Sequence, residues 1–100
     1  MAEMWLLEAV ERDGANRLTF RLSAGAIRTV GRATRADFIV DAPLVSRLHC
    51  RLTAGDGGLL VEDLDSTNGT FVNGERIMSR TVHDRDRIGV GRVELLVTRA

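Results

Sequence analysis

The side chains best suited to chemistry fall in three short polar stretches: Gly31-Arg32, Ser46-Arg47-Leu48-His49 and Asp65-Ser66-Thr67-Asn68-Gly69-Thr70. Guanidinium groups form charge-assisted hydrogen bonds to phosphate, each hydroxyl donates one directed proton, and an Asn amide can both donate to and accept from a peptide backbone. Arginines, hydroxyls and an amide from these stretches, facing one small volume, would grip an oxyanion. Other chemistries fit less well. Ser46, His49 and Asp65 have the residue types of a hydrolase triad but lack the sharp strand-to-helix elbow and any oxyanion motif. His83 with Asp84 and Asp86 reads as a solvated charged turn rather than a metal site, and the lone Cys50 falls short of any zinc ligand set. No metal or other cofactor is expected.

Each polar stretch lies at the edge of a segment that reads as β. In Arg17-Leu18-Thr19-Phe20-Arg21-Leu22, apolar and polar residues alternate, the mark of a half-buried strand. Ala26 to Arg32, Phe38 to Val40 and Leu48 to Thr53 read the same way, with Leu48, Cys50 and Leu52 on one face of the last and His49 and Arg51 on the other. Gly55-Asp56-Gly57-Gly58 suits a hairpin turn into Leu59 to Asp63, and Asn73-Gly74 suits a type I′ turn between Thr70-Phe71-Val72 and Glu75-Arg76-Ile77. Arg87 to Val90 and Val93 to Thr98 complete the series. No sustained helical stripe occurs, so an all-β sandwich of two antiparallel sheets is expected, with function on the connections 33–37, 41–47 and 64–69.

The chain has 100 residues, enough for one domain over 1–100. Lys+Arg and Asp+Glu both number 14, giving a net charge of zero and no long-range attraction for nucleic acid or an anionic membrane. An anion must therefore be held locally. The opening Met1-Ala2-Glu3 is acidic where a signal peptide is basic, the apolar run after it is only Met4 to Leu7, and a single thiol suits a reducing compartment. A cytoplasmic location is expected.

Taken in order from Val30 to Gly91, Gly31-Arg32, Ser46-Arg47-x-His49 and Ser66-Thr67-Asn68-Gly69-Thr70-Phe71-Val72-Asn73-Gly74 resemble the signature of the forkhead-associated (FHA) domain. That family is a β-sandwich that binds phosphothreonine peptides through loops at one end. The resemblance implies a non-catalytic recognition module for partner proteins modified by a Ser/Thr kinase. It places Arg32 and Ser46 at the phosphate, Arg47 at the phosphate or the nearby peptide, Thr67 beside the phosphothreonine and Asn68 on the peptide main chain. Gly31, His49 and Gly69 would support the loops. Residue preference past the phosphothreonine would come from Ala33 to Ala36, Asp41 to Val45 and Met78 to Val82. Arg85-Asp86 stands where the family often has Gly-Asp, so the turn near His83-Asp84 is expected to differ. The alternative is a domain that binds its partner whether or not the partner is phosphorylated.

Overall fold

The computed structural model describes residues 4–10 and 17–100. The acidic opening read at residues 1–3, and Asn16 ahead of the first alternating strand, lie outside the described residues. Eleven strands follow one another: β1 Met4–Val10, β2 Arg17–Ser23, β3 Ile27–Gly31, β4 Phe38–Ile39, β5 Cys50–Ala54, β6 Leu59–Asp63, β7 Thr70–Val72, β8 Glu75–Ile77, β9 Ser79–Val82, β10 Arg87–Val90 and β11 Val93–Arg99. They form a six-stranded sheet, ordered β2-β1-β11-β10-β7-β8, and a five-stranded sheet, ordered β4-β3-β5-β6-β9. Among the described residues no helix is long and apolar enough to cross a membrane.

Alternation along the strands builds the core between the sheets. Trp5, Leu7 and Ala9 of β1 and Val93, Leu95 and Val97 of β11 face Cys50, Leu52 and Ala54 of β5 and Leu59 and Val61 of β6, all buried. Phe20 of β2 stacks on Phe38 of β4 with ring centroids 4.5 Å apart, tying one sheet edge to the other. The thiol of Cys50 sits inside this core, and burial, with the Asp63 carboxylate adding to it, pushes its pKa up to about 12.

Three expectations need correction. The sheets are not wholly antiparallel, because β3 and β4 pair parallel, Val30 opposite Phe38 and Gly31 opposite Ile39. Asp37 accepts hydrogen bonds from the Thr29 main chain at 2.8 Å and its hydroxyl at 3.2 Å, which seats the returning chain beside β3 one step before that pair. Second, Ser79–Val82 is an edge strand against β6 rather than part of a binding loop. Third, β5 begins at Cys50 rather than at Leu48, so the buried His49 belongs to the incoming loop and not to the strand.

The Asn73-Gly74 turn joins β7 to β8 with φ of 49° and 84°, the left-handed pair that a type I′ turn requires. Asn73 also accepts from the Arg87 amide at 2.9 Å, which braces the hairpin against β10.

Candidate functional site

The ends of β3, β5 and β7 meet at one pole of the sandwich, where the loop 40–49 crosses over the end of β3. That crossing is a close main-chain contact. Arg32 N–H donates to Ser46 C=O at 2.9 Å, Ala33 N–H to Arg47 C=O at 3.1 Å, and His49 N–H to Val30 C=O at 2.7 Å. A Cβ on Gly31 would overlap the Arg47 carbonyl, so only glycine lets the two segments approach this far.

His49 ties the loops together from behind. Its Nδ1 accepts the Ser46 N–H at 3.0 Å, so the proton must sit on Nε2, which donates to the Gly69 carbonyl at 2.8 Å. One buried ring thus fixes the distance between the Ser46 and Gly69 loops. With both ring nitrogens engaged by main chain, His49 has no lone pair left for the Ser46 hydroxyl, and Asp65 is exposed and makes no contact with the ring. The triad reading fails on this geometry.

The second brace is a carboxylate. Asp63 Oδ1 accepts from the hydroxyls of Ser66 at 2.5 Å and Thr70 at 2.7 Å, and Oδ2 accepts from the Ser66 amide at 3.2 Å. Ser66 Oγ in turn accepts the Gly69 N–H at 3.0 Å, closing the turn that carries Thr67 and Asn68. Partial burial works to raise the Asp63 pKa, but the hydrogen bonds from Ser66 and Thr70 outweigh it and hold the carboxyl below its usual range. Ser66, grouped by sequence with the ligand-facing hydroxyls, is therefore turned inward. The spacing Asp63-x-x-Ser66 was the available sign, since a carboxylate three residues before a serine can close a local turn.

An open depression of about 680 Å³ lies over these braces, lined by Arg32, Arg35, Pro43, Leu44, Val45, Ser46, Arg47, Leu48, Asp65, Thr67 and Asn68. It gathers Arg32, Ser46, Arg47, Thr67 and Asn68, while Gly31, His49 and Gly69 stand behind it. Three of these side chains are anchored by one atom and leave another free. Arg32 Nε donates to Val45 C=O at 3.1 Å, which leaves both terminal nitrogens. Ser46 Oγ accepts the Thr67 N–H at 3.0 Å, which leaves its own proton. Asn68 Nδ2 donates to Leu44 C=O at 3.0 Å, which leaves Oδ1 to accept. The side chains of Arg35 and Arg47 have no hydrogen-bond or ion-pair partner among the described residues. Sequence reasoning placed Arg35 and Leu44 only within variable loops and left Met78 to Val82 as a contributor, yet that segment lines no part of the depression.

The His83-Asp84 turn lies elsewhere. Its carboxylates cap main-chain amides, Asp86 accepting from His83 N–H at 2.8 Å and Asp84 from Arg99 N–H at 2.8 Å.

Comparison with known proteins bears on the chain as a whole. The model of the FHA domain matches residues 28–91. The chain is 41% identical over 80 residues to an ABC transporter ATP-binding/permease protein of Mycobacterium tuberculosis, a match covering 80% of this chain and 9% of that protein. It spans less than half the length of the first curated relatives it matches. Among solved structures, the FHA domain of the CT664 protein from Chlamydia trachomatis superposes with a TM-score of 0.85 at 28% identity, covering 95% of this chain and 96% of that one. An FHA domain solved in a study of phosphothreonine-dependent FHA domain interactions gives a TM-score of 0.79 at 31% identity, covering 98% and 96%.

Proposed function

The chain belongs to the FHA domain family, and on that footing we propose that the depression at the loop pole holds the phosphothreonine of a phosphorylated partner protein. FHA domains bind phosphothreonine peptides, so the class of ligand follows from membership. The proposal concerns which atoms of this chain do the work. The observation that carries it is the set of outward donors around one depression: two terminal nitrogens of Arg32, the Ser46 hydroxyl proton and the unpartnered Arg47 guanidinium.

A phosphate dianion needs several donors at once, and its own charge strengthens each bond to a guanidinium. Arg32 and Ser46 meet the phosphate oxygens, and Arg47 meets the phosphate or the adjacent peptide. Thr67 lines the side of the phosphothreonine, and Asn68 Oδ1 accepts an N–H of the peptide main chain. Preference for threonine over serine rests on room for one methyl, worth about 1 kcal/mol.

The module works without catalysis, over residues 1–100, on partners marked by a Ser/Thr kinase in the cytoplasm. Its balanced charge supports a protein ligand over nucleic acid or membrane, and the lone thiol supports a reducing compartment.

The test is a degenerate peptide library in matched phosphothreonine, phosphoserine and unmodified threonine forms, with Arg32→Ala beside the native protein. Binding should be confined to the phosphothreonine set. The variant should lose about 1.5–3 kcal/mol, roughly tenfold or more, because charge-assisted bonds go. Equal binding of all forms would move the function to a phosphorylation-independent surface.

A further inference from the structure

The tip of the hairpin between β10 and β11 lies against the turn whose carbonyls hold Arg32 and Asn68. Val90 pairs with Val93, so Gly91 and Arg92 form the two-residue connection, with Gly91 at φ +59°. A Cβ at Gly91 would stand 3.0 Å from Pro43 O, 3.1 Å from Leu44 C and 3.2 Å from Leu44 O. These are main-chain atoms, which cannot swing aside as a side-chain end can.

The segment above Gly91 is itself constrained. Leu44 holds φ at 72°, in the left-handed region that is unfavourable for a residue with a side chain. Its carbonyl accepts from Asn68 Nδ2 at 3.0 Å, and the next carbonyl, that of Val45, accepts from Arg32 Nε at 3.1 Å. Two consecutive carbonyls of one strained turn therefore aim two of the side chains assigned to the ligand, Asn68 and Arg32.

We propose that Gly91 is a positioning residue for phosphopeptide binding: the hairpin tip supports the Pro43–Leu44 turn at a height where an added Cβ would push that turn's main chain by a few tenths of an ångström. This inference rests on the binding reading above. A side chain at 91 lifts the turn, shifts the Leu44 carbonyl from the Asn68 amide, and re-aims Asn68 and, through Val45, Arg32.

The fold supplies a matched control. Gly74 also sits in a two-residue hairpin at positive φ, +84°, and a Cβ there would meet nothing within 4 Å. Gly74→Ala therefore places an alanine at positive φ in a hairpin turn without pushing on any loop.

The experiment measures affinity for a phosphothreonine peptide selected from the library, for Gly91→Ala, Gly74→Ala, Asn68→Ala and the Gly91→Ala/Asn68→Ala pair, with the Asn68 side-chain amide resonance followed in the free proteins. Gly91→Ala should weaken binding about tenfold, as expected for a misaligned hydrogen bond to the ligand, and should shift the Asn68 amide. Gly74→Ala should do neither. The loss on the Asn68→Ala background should shrink, because the two changes act through one bond. Native affinity in Gly91→Ala, an equal loss in Gly74→Ala, or full additivity in the pair would overturn the proposal. If Gly91→Ala does not fold, Leu44→Gly loosens the same turn with no new atom, and unchanged affinity there would overturn it equally. Should Asn68→Ala and Arg32→Ala both bind as the native protein does, the binding reading itself falls.

Discussion

At the residue scale, the site is a matter of which atoms are already engaged. His49 spends both nitrogens on main chain, Ser66 spends its hydroxyl on Asp63, and Ser46, Arg32 and Asn68 each keep a group turned outward. Residue types alone showed the arginines, the Asn68 amide and a structural role for His49. They could not separate Ser66 from Ser46, because a hydroxyl's partner depends on the direction of its side chain. Acid should reveal the Asp63 brace. Its carboxyl is held below the ordinary range in the folded chain, so the unfolded chain takes up the proton first as pH falls. The stabilisation is complete above the unfolded pKa near 4 and is lost as pH drops through the lower folded value. Asp86, lowered by the Asn73 amide and the His83 N–H, adds to the same acid limb from the far turn. Thermal unfolding followed from pH 6 downward should show stability falling below about pH 4, less steeply in Asp63→Asn. An Asp63→Asn profile parallel to the native one would remove Asp63 from the brace.

At the element scale, strands with strong alternation were readable and weak ones were not. The buried faces of β5, β6 and β11 carry apolar residues at every second position, and their pattern is plain in the sequence. In β9, Ser79, Arg80 and Thr81 are exposed and only Val82 is buried, so an edge strand left no periodic mark. The two-residue β4 is too short to reveal its direction, and its parallel pairing is set by the Thr29–Asp37 clamp instead. In the turn ahead of β10, Arg85, standing where the family often has glycine, takes φ of 74°, a backbone conformation that glycine adopts readily. Its contact with Asp84 is 3.9 Å long and its side chain is 89% exposed, so the ion pair adds little against the conformational cost. Arg85→Gly should therefore stabilise the fold by a few tenths to about 1 kcal/mol, the cost of a left-handed residue less the entropy glycine loses on folding. A lowered midpoint in urea would contradict that, and the turn's distance from the depression means affinity should not move.

At the scale of the whole molecule, two sheets bring three loop ends to one pole. With 14 basic and 14 acidic residues the chain has no net charge to draw an anion from afar, so the proposed recognition rests on the donors around one open depression. The sandwich and its polar pole were legible because strand alternation and the three motif stretches are local patterns. The support of the Pro43–Leu44 turn by Gly91 was not, because it joins residues nearly fifty positions apart through a main-chain contact that no side-chain type announces. The most direct test of the binding pole is to follow backbone amide resonances while a phosphothreonine peptide is added. The largest shifts should fall at 32–35, 44–49 and 66–69, with the outer faces of both sheets unmoved. Shifts centred on a sheet face, or an equal response to the unphosphorylated peptide, would contradict a phosphate-gripping pole.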